Sequence, residues 1–216
     1  YEDVNYSTTT VETIITDELT PSEEDTVYAE ISVDKSSVAE EGELIYTVKL
    51  VDKDGNAVTV PVGENVNVQL TWTGAAAGGA DTSALPANIN ATGGNTATFT
   101  VTAVDDYLAE GSEPLVATIS GVTDTDSNFE AVAVGTTNVA NSAITDDVPT
   151  TPPGAEDTVY AVISVDKSSV AEGGVLTYTV ALVDKDGNAV SVPAGENVDV
   201  RLTWTGAAAG GADTSA

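Results

Sequence analysis

The sequence contains no cysteine, no histidine and no methionine. The absence of thiols excludes disulfides, cysteine metal sites and cysteine nucleophiles. The absence of histidine removes the commonest general base and the commonest transition-metal ligand. The remaining strong metal ligands are oxygen atoms, and oxygen suits hard cations.

Basic and aromatic residues are scarce. Six Lys and Arg stand against 35 Asp and Glu, which gives a formal net charge of −29. Such a charge repels nucleic acid and anionic membranes, so we expect neither as a partner. No apolar run is long enough to cross a bilayer, and we expect no membrane insertion. With two Trp, two Phe and 41% apolar residues, the chain predicts a folded protein with an aliphatic core.

A long tandem repeat organises the chain. "EDTVYAEISVDKSSVAE" at Glu24 returns as "EDTVYAVISVDKSSVAE" at Glu156, so the period is 156 − 24 = 132 residues. We interpret the chain as a window on a longer array of one module. The predicted divisions are the last strand of a preceding repeat (1–18), a linker (19–24), a complete repeat (25–147), a Pro-rich linker (148–156) and the N-terminal half of the next repeat (157–216).

Alternation of apolar and polar residues marks the strands. In "ELIYTVKLV", Leu44, Tyr46, Val48 and Leu50 share one face. The two copies differ at nine aligned positions, and seven of these lie on faces predicted to point outward: Glu30, Glu43, Ile45, Lys49, Thr59, Asn67 and Gln69. About seven antiparallel strands with no helical period predict an all-β, Ig-like sandwich in tandem repeats.

Strand parity predicts where the acidic loops lie. If successive strands run back and forth, eight acids gather at one end of the sandwich: Glu40, Asp81, Asp105, Asp106, Glu110, Glu113, Asp146 and Asp147. This count requires "PVGEN" to be a bulge or kink, because a hairpin there would split the cluster. Clustered carboxylates repel unless a cation neutralises them, and Ca²⁺ takes six to eight oxygen ligands. The acids are therefore candidate Ca²⁺ ligands, and the alternative is a solvated acidic surface.

Two loops at the opposite end carry weaker signals. "DKDGN" (52–56) and "DTDSN" (124–128) have acids at their first and third positions, as Ca²⁺ loops do, but lack the rest of an EF-hand. For "DKDGN" we favour a tight hairpin turn with Gly55 and Asn56 at positive φ.

Several segments resemble the Calx-β domain, a calcium-binding β-sandwich. They are "SVAEEGELIYTVKL", "GGAD", "TATFTVTAVDDYLAEGSEPLVATISGV" and the closing "AITDD". The resemblance implies that the same eight acids bind Ca²⁺, with Glu172 and Asp213 as the matching ligands in the second copy. Near-identical, acidic, Cys-free repeats also resemble the extender region of large type I-secreted (RTX-type) bacterial adhesins. That resemblance implies an extracellular, cell-surface location and a role in attachment and biofilm formation.

Three functions are open at this point. The first is a structural stalk whose repeats are stiffened by Ca²⁺, with neighbouring repeats and laterally placed identical chains as partners. The second is an adhesive module that binds a glycan, a surface or an identical chain. The third is a glycosidase-like enzyme using paired carboxylates such as Asp105 and Glu110. The lack of His and Cys and the repetition of the unit argue against catalysis, so we expect no enzyme activity.

Overall fold

The computed structural model describes residues 1–5, 8–16, 19–78, 81–146 and 157–206. The described part of the complete repeat contains nine strands, and alternation of polar and apolar residues marks the longer ones. The nine strands are β1 (Thr26–Val33), β2 (Val38–Ala39), β3 (Glu43–Val51), β4 (Asn65–Thr73), β5 (Asn88–Thr92), β6 (Thr96–Thr102), β7 (Ser112–Asp124), β8 (Ala131–Val134) and β9 (Val139–Thr145).

These strands form two sheets that face each other. One sheet has the order β6-β3-β1-β8 and the other has the order β2-β9-β7-β4-β5. The inward residues of both sheets make one mainly aliphatic core, which includes Leu44, Val68 and Leu115 and has Tyr46 among them. None of the nine positions that differ between the copies belongs to the buried core. The predicted all-β sandwich is confirmed.

The first and last strands of the sandwich are each divided between the two sheets. The final segment of the repeat forms two strands, with β8 beside β1 in the first sheet and β9 beside β7 in the second. The chain crosses between sheets after Gly135, where a Cβ atom would lie 2.9 Å from the carbonyl oxygen of Ala29. Likewise β2, which pairs with β9, continues from β1 in the other sheet. Two parallel pairs, β1–β8 and β2–β9, result from these crossings.

The long connection between β3 and β4 stays at one end of the sandwich. Val58 N donates to the Leu50 carbonyl at 3.0 Å, and Val60 N donates to the Gly94 carbonyl at 2.9 Å. The "PVGEN" segment therefore turns without adding a strand, because Asn65 starts β4 beside the Asp126 loop of the same end. The parity count therefore needs no extra strand between β3 and β4, and it still places the acidic loops at one end.

The second copy repeats the local geometry of the first. Its strands β10 (Tyr160–Val165) and β11 (Tyr178–Val183) pair with Tyr160 opposite Val183, which is the Tyr28–Val51 register shifted by 132 residues. Tyr178 and Trp204 meet edge-on at 5.0 Å, as Tyr46 and Trp72 do at 5.2 Å. The residues of 1–5 and 8–16 form no strand. The strand predicted for 1–18 stays a prediction, as do the other repeat boundaries.

Among the described residues, no helix is long and apolar enough to cross a membrane. In the loop after β4, Ala75–Ala77 form a short 3-10 helix, and Ala76 is fully buried in the core.

Candidate metal centre

Backbone hydrogen bonds draw the acidic loops to one end of the sandwich, here called the acidic end (Glu40, Asp81, Asp105, Asp106, Glu110, Glu113 and Asp146). Glu40 N donates to the Thr145 carbonyl at 3.0 Å, which places the loop after β2 beside the end of β9. Val104 N donates to the Asp81 carbonyl at 2.9 Å, which joins the loop before β5 to the end of β6. The convergence thus follows from strand pairing at that end.

Asp146 holds the β6–β7 loop against the end of β9. Its Oδ1 accepts hydrogen bonds from Glu110 N at 3.2 Å and from Gly111 N at 3.1 Å. Its own N–H donates to the Gly111 carbonyl at 3.3 Å. Gly111 has φ +80°, a conformation that favours glycine, so the loop can turn toward Asp146. The position of Glu110 is therefore coupled to Asp146, the residue that follows β9.

Three carboxylates meet within this end, and we call them the carboxylate trio: Asp81, Glu110 and Glu113. One carboxylate oxygen of each lies within 4.8 Å of the others. Asp81 comes from the loop before β5, Glu110 from the β6–β7 loop, and Glu113 from the start of β7. None of the ion pairs formed by the described residues includes a member of the trio. The trio concentrates negative charge with no side-chain cation against it.

Desolvation and repulsion raise the pKa values of the two glutamates of the trio. Desolvation raises the pKa of Glu110, and the charges of Glu113, Asp81 and Asp106 raise it further. Desolvation also raises the pKa of Glu113, together with the charges of Asp81, Asp146 and Asp106. Like charges at short distance disfavour the ionised form, and a bound cation reverses that effect. An all-carboxylate donor set of this kind fits a hard cation such as Ca²⁺.

The other predicted ligands fall into three groups. Glu40, Asp105, Asp106 and Asp146 lie at the acidic end but outside the trio. In the second copy, Glu172 is exposed in the turn that matches Glu40. Asp147 and Asp213 lie outside the described residues. The ligand assignment for all ten residues stays a prediction, with the trio as the set that the fold brings within common reach.

The loops at the opposite end use their acids to order the backbone. Asp52 Oδ1 accepts hydrogen bonds from Asp54 N and Asn56 N, each at 2.9 Å. A hydrogen bond from Asn56 Nδ2 to Asp52 Oδ2 at 2.9 Å, together with these backbone bonds, lowers the pKa of Asp52. Gly55 has φ +83°, as expected, but Asn56 is not at positive φ, so that part of the turn prediction is wrong. The hydrogen bonds that Asp52 accepts fix the path of the loop, so Gly55 is its one residue with a left-handed φ.

Asp124 has the same ordering role in the second of these loops. Its Oδ2 accepts from Asn128 N at 2.6 Å and Phe129 N at 2.8 Å, and its Oδ1 accepts from Asp126 N at 3.1 Å. We expect Asp124→Ala to destabilise the chain by about 1–3 kcal/mol, because three backbone donors lose their acceptor. Urea denaturation measures this cost. Any Ca²⁺-dependent stabilisation should persist in the variant, since Asp124 belongs to the end away from the trio.

The raised pKa values of Glu110 and Glu113 predict a pH dependence of the metal-free protein. The folded state holds these protons more tightly than the unfolded chain, so their contribution to stability is full below the usual pKa of 4.5. That contribution is lost as pH rises from 4.5 through the raised values. This is tested by thermal melts in chelator across about pH 4 to 8, the range of carboxyl titration. The wild type is compared with the double variant Glu110→Gln/Glu113→Gln. The melting temperature of the wild type should fall relative to the variant as pH rises; a constant difference would contradict the assignment.

No protein-family model and no curated protein matches the sequence. Among solved structures, the chain is similar to the apo form of the Calx CBD1 domain, with 14% identity and a TM-score of 0.40, over 56% of this chain and 99% of that one. It is also similar to FdeC, an Escherichia coli adhesin, with 19% identity and a TM-score of 0.34, over 76% of this chain and 43% of that one.

A third likeness is to domains 4 and 5 of the S-layer protein SbsC, with 22% identity and a TM-score of 0.25. It covers 56% of this chain and 54% of that one. The chain thus spans about half or less of the adhesin and S-layer structures. At these identities and scores, the three comparisons are distant likenesses among β-rich folds.

Proposed function

We propose that this chain is part of a structural extender, a stalk whose β-sandwich repeats are stiffened when Ca²⁺ binds at the acidic end. The observation that carries the proposal is the carboxylate trio, in which three acids from separate segments lie within 4.8 Å of one another. Among the described residues, none of the three forms an ion pair with a basic side chain. A fold that assembles such a group gains stability from a cation that neutralises it. Asp81, Glu110 and Glu113 would hold the ion.

The position of Asp146 links the trio to the joint between repeats. Asp146 fixes the backbone of Glu110 and Gly111, and it directly precedes the segment that leads to the Pro-rich linker. A bound cation supplies positive charge that removes repulsion among the acids. The β6–β7 loop and the end of β9 then hold together, and less bending is available at the start of the linker. Proline-rich linkers are themselves semi-rigid, so both features favour an extended array.

The cellular context completes the proposal. Extracellular modules bind Ca²⁺ with dissociation constants of about 10⁻⁴ to 10⁻³ M, so the array would be soft at cytosolic Ca²⁺ and stiff outside the cell. We place the stalk on a bacterial surface, in an RTX-type adhesin that supports attachment and biofilm formation. Neighbouring repeats are its immediate partners. The chain has no His or Cys and is built from a repeated sequence unit, which supports a role without catalysis.

Thermal melting in chelator, in Mg²⁺ and in millimolar Ca²⁺ tests the proposal. Trp72 belongs to the complete repeat and Trp204 to the second copy, so Trp204→Phe makes the fluorescence report on the complete repeat alone. At about ten times the dissociation constant, binding contributes about 1.4 kcal/mol, which raises the melting temperature by about 5 °C. Mg²⁺ should have a much smaller effect, because it keeps its water ligands.

Small-angle scattering of the same samples measures stiffness. When Ca²⁺ is added, we expect the maximum dimension of the chain to increase. We also expect the range of chain dimensions in the sample to narrow. Equal melting temperatures in chelator and Ca²⁺ would reject the metal centre. A rise in melting temperature without any change in scattering would retain the metal centre and reject stiffening.

A further inference from the structure

Strand β6 lies at an open edge of the first sheet. Its one hydrogen-bonded neighbour in the described sheet is β3, and the sheet order ends at β6. With seven residues, it is longer than the other three edge strands of the sandwich, which are β8 with four, β5 with five and β2 with two. It is therefore the largest edge on which another strand can be added.

Alternation along β6 shows which backbone groups face outward. Ala103 N donates to the Gly42 carbonyl, on the β3 side. The Thr102 carbonyl instead accepts from Ser83 N at 2.8 Å, on the open side. Because alternate residues of a strand face alternate edges, Thr98 and Thr100 direct their N–H and C=O groups to the open side as well. In the described part of the chain no backbone partner meets them there, since the cover provided by residues 81–83 ends at Thr102.

The side chains of β6 offer no protection against pairing. The strand reads TATFTVT, with exposed threonines at 96, 98 and 100 on its outer face and with Ala97, Phe99 and Val101 toward the core. Edge strands are usually protected by charge, proline, a bulge or short length, and β6 has none of these. An uncharged seven-residue edge is unusual in a chain with a net charge of −29.

We propose that the open edge of β6 pairs with β6 of a second copy of this chain. Two antiparallel β6 strands related by a twofold axis form backbone hydrogen bonds through Thr98 and Thr100, and the two four-stranded sheets become one. The partner is a second copy because most other surfaces of this acidic chain repel one another, whereas two TATFTVT strands bring together no like charges. The contact is independent of the trio and does not rest on the Ca²⁺ proposal.

One such edge buries less surface than a standard protein–protein interface, so a single contact is weak and reversible. Cross-linking captures a contact of this kind. The chain has no cysteine, so every disulfide must come from an introduced thiol. The variants are Thr96→Cys, Thr98→Cys and Thr100→Cys, each made singly in the full chain. Thr92→Cys is the matched control, because Thr92 is an exposed threonine on β5, an edge of the other sheet.

We expect at least one β6 variant to form disulfide-linked dimers about tenfold faster than Thr92→Cys, since pairing holds the thiols at high effective concentration. Adding a lysine at a neighbouring threonine, for example Thr98→Lys in Thr96→Cys, should lower the rate to that of the control. Equal rates for all three variants and Thr92→Cys would overturn the proposal, as would fast cross-linking that the added lysine leaves unchanged. The cross-linking rates are measured both in chelator and in Ca²⁺. Because the contact is independent of the trio, the difference between the β6 variants and the control should be present in both.

Discussion

Glu113→Gln is expected to abolish the Ca²⁺-dependent rise in melting temperature while raising the melting temperature of the metal-free chain. Glutamine keeps the size of the side chain but removes the charge that Asp81, Asp106 and Asp146 oppose. Without Ca²⁺, the loss of this repulsion stabilises the folded state. With Ca²⁺, the loss of an anionic ligand weakens binding. Melts of both proteins in chelator and in Ca²⁺ measure the two effects together.

Glu64→Gln is the matched control for this prediction. It makes the same chemical change at the opposite end, where Glu64 Oε2 lies 3.5 Å from Asn128 Nδ2. The control should keep the full Ca²⁺ response. If Glu113→Gln responded to Ca²⁺ as the wild type does, the trio would be a solvated acidic surface. A metal ligand and a residue that only supports the fold give different results in this test. Only loss of a ligand raises the melting temperature in chelator and also removes the rise that Ca²⁺ causes.

Tyr46→Ala is expected to destabilise the complete repeat by about 3–5 kcal/mol, because it empties the centre of the core. The Tyr46 ring stacks on Phe99 at 5.2 Å and meets Trp72 edge-on. Its hydroxyl lies 2.6 Å from Ser142 Oγ, which donates to the Leu115 carbonyl at 2.9 Å. Burial raises the pKa of Tyr46 above its usual 10.0, so the phenol stays protonated in this network.

Tyr46→Phe isolates the hydrogen bond, and we expect a cost of about 1–2 kcal/mol because Ser142 loses a buried partner. Urea denaturation followed by Trp72 fluorescence, in the Trp204→Phe background, measures both variants. Tyr178→Phe in the second copy is the control, because Tyr178 is 43% exposed whereas Tyr46 is 0% exposed. A Tyr46→Phe variant as stable as the wild type would show that the hydroxyl contributes nothing to the contact between the sheets.

Periodicity predicted most of the fold because the inward faces of the long strands carry mainly apolar residues. The segment "ELIYTVKLV" is β3 (Glu43–Val51), and its four inward residues are all buried. Alternation does not encode which sheet a strand joins. The crossing after Gly135 and the two-residue β2 depend on pairing with distant strands, so the sequence gives no local signal for them.

Parity predicted which loops share an end, but not which carboxylates meet. That choice depends on the hydrogen bonds of Asp146 to the β6–β7 loop and on the bond from Val104 N to the Asp81 carbonyl. Asp105, which the acidic pattern placed beside Asp106 as a ligand, lies outside the trio in the structure. At the opposite end, paired acids look similar in sequence, yet Asp52 and Asp124 serve as backbone acceptors. The two ends differ in what their carboxylates contact, which is backbone N–H groups at one end and other carboxylates at the other. The spacing of the acids in the sequence does not show this difference.

Calorimetric titration of Ca²⁺ into the metal-free chain tests the central claim most directly. We predict saturable binding with a dissociation constant of about 10⁻⁴ to 10⁻³ M. The binding should be lost in Glu113→Gln and kept in Glu64→Gln. No binding heat in the wild type across several temperatures, or equal binding by Glu113→Gln, would contradict a calcium site at the trio.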